Sequence, residues 1–373
     1  MTALDAVNRT VDSGAARAAA VIAAVLLLVA ASCQGGALTG ADAIPTFRVG
    51  TAQPASLDPV LASQPQETLV ARQLFDGLVR YDDTTAAVAP DVATSWEIDA
   101  TSTVFTFHLR ARSRFSDGEY VTAASFVRGM TRALTPAVYR APGSLGYELD
   151  GIAGAADVVS GRSPTLSGAR ALDPLTLEIR LSAPDAQFLV RCGDVAFSPL
   201  PSAAAVAARQ PSWARFPLGN GPFKLSRPMV ANQAIVLTPN ALHAGGHPKV
   251  AQVALEIYND VAASYAAWRA GRLDWSAYPP DRMAEVRRHY RSSSVIRPTA
   301  GLDGLVLDEG SAPASNPLFR QAVSLAVDRA AIARGVLANA VLPAAGLVPA
   351  LVPGAAAGGG ASPCPSCGFD PAR

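Results

Sequence analysis

The stretch from Val104 to Arg110 constrains the fold most. Val104, Thr106, His108 and Arg110 fall on one side of an extended chain, and Phe105, Phe107 and Leu109 on the other. That alternation predicts a strand with one face buried in a sheet. Ser116-Asp117-Gly118 follows as a turn, and Thr122 then caps a predicted helix that runs through Leu134 until Pro136 forbids its continuation. The same grammar recurs along the chain. Strands are expected at Thr46–Gly50, Leu175–Leu181 and Leu255–Tyr258, with helices at Glu67–Leu78, after Tyr258 as far as Ala270 with Gly271 as its stop, and at Arg320–Leu337 with a break near Arg329. Asp328-Arg329 at that break suits either a helix cap or an ion pair. Strands and helices mix with no tandem repeat, so the class is α/β, in the mixed α+β sense, with several lobes.

The first 33 residues point to export. Arg9 and Arg17 precede an uncharged apolar run from Ala18 to Ala31, and Ser32-Cys33 closes it. A short basic segment, an apolar segment and small residues before a cut site make an export signal. The run is shorter than the roughly 20 residues a spanning helix needs. Val29-Ala30-Ala31-Ser32-Cys33 resembles a bacterial lipobox, which implies lipidation of Cys33 after cleavage of residues 1–32. The expected location is therefore the outer face of the cell membrane, with 33–44 as a flexible tether rich in small residues.

Charge nearly cancels, with 31 basic and 30 acidic residues, and no basic stripe marks a nucleic-acid binder. Of the remaining cysteines, Cys192 stands alone in an apolar stretch, and Cys364 and Cys367 form a C-x-x-C between prolines and glycines. One such pair is a weak zinc signal, and in an oxidising compartment a local disulfide between Cys364 and Cys367 is expected. Gly354–Ser362 reads as a loose loop. His243 and His247 flank Gly245-Gly246, which favours a turn over a metal site. No metalloprotease helix, nucleophile elbow or phosphate loop is present, so neither enzymatic activity nor a cofactor is expected.

Seven motifs in order resemble those of the family 5 extracellular solute-binding proteins. They are Ser56-Leu57-Asp58-Pro59; Leu74-Phe75-Asp76-Gly77-Leu78-Val79; Ala89-Pro90-Asp91-Val92-Ala93-Thr94-Ser95-Trp96; Phe105 to Arg110 with Phe115-Ser116-Asp117-Gly118; Asn220-Gly221-Pro222-Phe223-Lys224-Leu225; Ala270-Gly271-Arg272-Leu273-Asp274; and Asn316 to Arg329. Most of these residues suit turns and sheet cores, so they speak to the fold more than to ligand contacts.

The resemblance implies a periplasmic-binding-protein-like, two-lobed fold with an inserted third domain. Carried over, lobe I takes residues 45–72 and 170–277, the inserted domain 73–169, and an incomplete lobe II 278–373, since relatives continue past Arg373. It also implies a monomer that captures peptides or similar small solutes in a cleft and hands them to the permease subunits of an ABC importer. The residues expected to line that cleft are Ser63, Gln64 and Pro65, Tyr147 of the inserted domain, and Leu302, Asp303 and Gly304, with Asp303 meeting a ligand amine. Some positions depart from the pattern. Ser125 stands where an Asp is usual, Leu307-Asp308 replaces an aromatic or aliphatic residue before Asn, and the tyrosines of peptide binders are missing around Gly301–Leu305. These departures and the short lobe II leave an alternative, an envelope lipoprotein on the same fold that regulates or binds a partner without transport.

Overall fold

In the computed structural model the described residues are 45–82, 85, 87–203, 206, 212–296, 301–344, 346 and 368–371. Cys33, the export segment, the tether, the 354–362 loop and the Cys364–Cys367 pair all lie outside them. The strands are β1 (Thr46–Thr51), β2 (Val79–Tyr81), β3 (Val88–Pro90), β4 (Ala93–Ile98) and β5 (Val104–Leu109). They continue as β6 (Ala169–Asp173), β7 (Thr176–Arg180), β8 (Phe223–Leu225), β9 (Ile235–Pro239) and β10 (Gln252–Ile257). The helices that matter below are α1 (Pro65–Leu74), α2 (Ala123–Ala133), α3 (Val261–Arg269), α4 (Met283–His289) and α5 (Pro317–Ala326).

Two four-stranded sheets organise these elements. The first has the order β1-β10-β9-β8, and within it β1 runs parallel to β10, from Thr46 opposite Gln252 to Thr51 opposite Ile257. Parallel neighbours need a crossover connection. Here that connection is long enough to build a second sheet of its own, β4-β5-β7-β6, antiparallel throughout. The second sheet runs straight through the division expected between residues 169 and 170. Strand β7 pairs with β5, Phe105 facing Ile179 and Phe107 facing Leu177, so residues 169–180 belong with 93–109. A cut at 169 would strip two strands from one hydrogen-bonded ladder.

Each sheet owns a core. Phe105, Phe107, Leu109, Leu177 and Ile179 are buried on one face of the second sheet, as the alternation predicts, and α2 covers them with Phe126 and Met130. Phe188 sits over Phe105 with ring centroids 4.9 Å apart and meets Phe197 edge-on at 5.7 Å. The free Cys192 is buried in the same core. The other core gathers Val49, Leu57, Val70, Leu74, Phe75, Leu237 and Leu255 around the first sheet. Helix α1 serves both, with Ala71 in one core and Val70 and Leu74 in the other.

Helix boundaries follow local chemistry in most places. Thr122 caps α2, and Ser125 completes the capping box, its Oγ accepting the Thr122 amide at 3.1 Å. Asp328 caps the short helix after α5, accepting the Ala331 amide at 2.8 Å, which settles its role as a cap. Helix α1 differs from expectation by ending at Leu74 instead of Leu78. Phe75 is extended, and the Leu74 carbonyl accepts the amide of Gly221 at 2.8 Å, so a distant loop takes the place of the next helical turn. Among the described residues 278–344 there are helices and coil but no strand, and much of 301–310 is exposed.

Gly129 lies inside α2, where glycine ordinarily costs about 1 kcal/mol against alanine. A β-carbon there would stand 2.3 Å from the Ser198 carbonyl oxygen. Gly129→Ala is therefore expected to lower stability, by about 1–3 kcal/mol, where helix propensity alone predicts a gain. The urea midpoint decides the sign.

Candidate functional site

The loop before α1 is held from behind by buried charge. Glu67, in the first turn of α1, is buried and accepts the amides of Ala55 at 3.1 Å and Gln64 at 3.0 Å, one on each carboxylate oxygen. Asp58 is also buried. It receives a two-pronged contact from the Arg132 guanidinium of α2 and accepts the Val60 amide at 3.3 Å. Such bidentate pairing fixes orientation as well as position. Thr68 Oγ1 donates to the Ala62 carbonyl at 2.8 Å. Ser63, Gln64 and Pro65 are left exposed on the outer side of this braced turn.

The segment that carries Tyr147 is joined to the same shoulder. It is tied to the loop by the Leu145 amide, which donates to the Val60 carbonyl at 2.8 Å, and Gly143 packs against Ser63, whose Oγ lies 2.9 Å from where a β-carbon would sit. Tyr147 itself is on a short 3-10 turn and more than half exposed. Leu302, Asp303 and Gly304 lie in exposed coil, and among the described residues no hydrogen bond joins them to Ser63–Pro65 or to Tyr147. The structure thus joins the segments of the first two parts of the expected cleft lining and leaves the third apart.

A second site lies at the other end of α1, unmarked by sequence reasoning. Residues 219–221 cross over residues 74–76. The Asn220 side chain accepts the Asp76 amide at 3.2 Å and donates to the Asp76 carbonyl at 3.1 Å. Asn240, fully buried, donates to the Gly221 carbonyl at 2.9 Å. His243, in the turn expected for it, reaches back with Nε2 2.8 Å from Asp76 Oδ2 and Nδ1 2.9 Å from the Gly246 carbonyl oxygen. A carbonyl only accepts, so Nδ1 carries a proton, and the contact to Asp76 holds a second proton between imidazole and carboxylate. That bond raises the pKa of His243 against the opposing effect of burial.

Asp91 faces the same space. Its Oδ2 accepts the Gly77 amide at 3.1 Å, while burial first, and the nearby Asp76 second, push its pKa up to about 7. Arg110 donates to the Asp91 carbonyl at 3.1 Å. These groups, with Arg72, Arg80 and Asp194, line a cavity of about 480 Å³. Asp76 and Asp91 read in the sequence as turn residues, and His243 is 167 positions from Asp76, so no local spacing signals the cluster. Among the described residues no three His, Cys, Asp or Glu side chains gather as metal ligands would.

The family described as bacterial extracellular solute-binding proteins, family 5 Middle, matches residues 87–372. The chain belongs to this family. It is 29% identical over 299 residues to the periplasmic oligopeptide-binding protein OppA of Haemophilus influenzae, a match covering 78% of this chain and 54% of that protein. This family 5 chain therefore spans about half the length of the curated relatives it matches. Among solved structures, the Escherichia coli murein tripeptide binding protein MppA superposes with a TM-score of 0.77 at 26% identity, over 85% of this chain and 62% of that one. Haemophilus influenzae OppA in complex with RPPGFSPFR gives 0.73 at 26% identity, over 83% and 61%. The mixed α/β, periplasmic-binding-protein-like fold implied by the seven motifs is the fold found.

The raised pKa of Asp91 has a definite sign in stability. The native state holds this proton more tightly than the unfolded chain, so its contribution is full below about pH 4 and is lost as pH rises toward 7. His243 acts in the same direction, its contribution fading as pH rises through a value above 6.5. Asp91→Asn keeps an acceptor for Gly77 and removes the titration. Relative to the parent it should gain on the order of 1–2 kcal/mol between pH 5 and pH 8, read from urea midpoints at the two values.

Proposed function

We propose that this protein is the solute-capturing component of an ABC importer for peptides, exported and held at the membrane through lipidated Cys33. The observation that carries this reading is the likeness, over 83% of this chain, to a structure of OppA that holds the nonapeptide RPPGFSPFR. The braced turn at Ser63–Pro65, with the segment that carries Tyr147 joined to it, supports the same reading. An extended peptide bonds chiefly through its backbone, much as an added strand does, so the protein side needs a rigid loop and not a particular side chain. Two buried carboxylates, Glu67 and Asp58, supply that rigidity here. Residues 302–304 would close on the ligand from the opposite lobe, with Asp303 toward its amino group. The working partners are then the two permease subunits, which read the closed form, and the protein acts as a monomer without chemistry of its own.

Calorimetric titration of the intact protein with a mixture of short peptides tests this. Saturable binding of peptides, without their hydrolysis, is expected, and Tyr147→Ala should weaken it by roughly threefold to thirtyfold, the loss of a partly exposed aromatic contact. Heat from free amino acids alone, or cleavage of the peptides, would overturn the proposal.

A further inference from the structure

The cavity at the C-terminal end of α1 lies a helix length, about 13 Å, from the Ser63–Pro65 turn. Its walls are charged and uneven in sign. Arg72, Arg80, Arg110 and His243 face Asp76, Asp91 and Asp194, four cationic groups against three carboxylates. His243 counts as a cation because both of its ring nitrogens contact oxygens that call for a proton. Burial favours the neutral form of Asp91, which tips the balance further toward positive.

The carboxylates are already committed. Asp76 meets His243, Asp91 accepts the Gly77 amide, and Asp194 accepts the Ala196 amide at 2.8 Å. Two of the guanidiniums are not. Arg72 lies 5.5 Å from the ring centre of Tyr81 and is felt by Asp194, as Arg80 is by Asp91, but among the described residues neither arginine donates a hydrogen bond or closes to salt-bridge distance. The negative end of a helix would ordinarily repel an anion. Here the Ala71 and Leu74 carbonyls are taken by the amides of Phe75 and Gly221, so the arginines set the local sign.

We propose that this cavity is a ligand site separate from the Ser63–Pro65 turn, and that it takes a small oxyanion, a carboxylate or a phosphate, between Arg72, Arg80 and Arg110. The planar guanidinium fork matches either group through two parallel hydrogen bonds. The cavity volume falls in the range of sites for small molecules. Its charge favours the class, since the cationic groups outnumber the carboxylates and each carboxylate already accepts a proton donor. A ligand here would bridge α1, the β2–β3 ribbon and the turn carrying Asp194, and so stiffen the junction of the two sheets.

Titration calorimetry of the intact protein with inorganic phosphate and, separately, with acetate, each against chloride at equal ionic strength, tests the assignment. Binding of at least one anion at millimolar concentration is expected, and whichever binds more tightly names the source. Arg72→Gln with Arg80→Gln should weaken it by about tenfold or more, while Arg170→Gln, outside the cavity, should leave it unchanged. The single variants serve if the double variant does not fold. No binding above the chloride background, or equal binding by the arginine variants, overturns the proposal. Peptide titration of the same samples is read separately, so failure of the anion site and failure of peptide capture are distinguishable.

Discussion

The crossing of residues 219–221 over residues 74–76 is the contact on which the rest of the structure depends. It is backbone against backbone. A β-carbon at Gly219 would stand 1.8 Å from the Leu74 carbonyl oxygen, so no other residue fits there without moving α1. The same short segment accepts the Ser116 amide on the Gly219 carbonyl at 2.9 Å and donates from Gly221 to Leu74. One end of this knot leads into the first sheet through β8, the other into the second through Gly77 and Leu78, whose carbonyls accept the amides of Val92 and Ala93. Asn220 and Asn240, both buried, satisfy the polar groups that such a crossing would otherwise strand. Family motifs far apart in sequence therefore meet in one hydrogen-bonded cluster.

That cluster explains which parts of the fold were legible in the sequence. Local rules sufficed where the determinants are local. The alternation of Phe105, Phe107 and Leu109, the Thr122–Ser125 box and the Asp328 cap all depend on neighbours within a few residues. The end of α1 was misplaced because its stop signal is the Gly221 amide, supplied from a loop 144 positions or more away. The division at residue 169 failed for a related reason. Leu175–Leu181 reads as a strand, but nothing in its own residues says which sheet it joins, and the register with Phe105 and Phe107 decides that. His243 and Asp76 are the extreme case, each reading locally as turn chemistry and meeting only in the folded chain.

The candidate site divides along the same line. Ser63–Pro65 and Tyr147 are what the family resemblance implies for the cleft, and the structure brings their segments together through the Leu145–Val60 bond. What sequence could not supply was the buried Glu67 and Asp58 behind them, since a Glu in a first helical turn is ordinarily just a capping residue. Residues 302–304 sit in exposed coil, apart from the other two. Under the proposed function, a rigid turn at Ser63–Pro65 would leave closure on a ligand as the one large motion to be coupled to transport.

The central claim is that peptide is held at this braced turn. Hydrogen–deuterium exchange of the intact protein, with and without a bound peptide mixture, tests it most directly. Added protection confined mainly to residues 60–66 and 143–149, with a smaller effect at 301–306, is the predicted result. Protection concentrated elsewhere, with those segments unchanged while peptide is demonstrably bound, would contradict it.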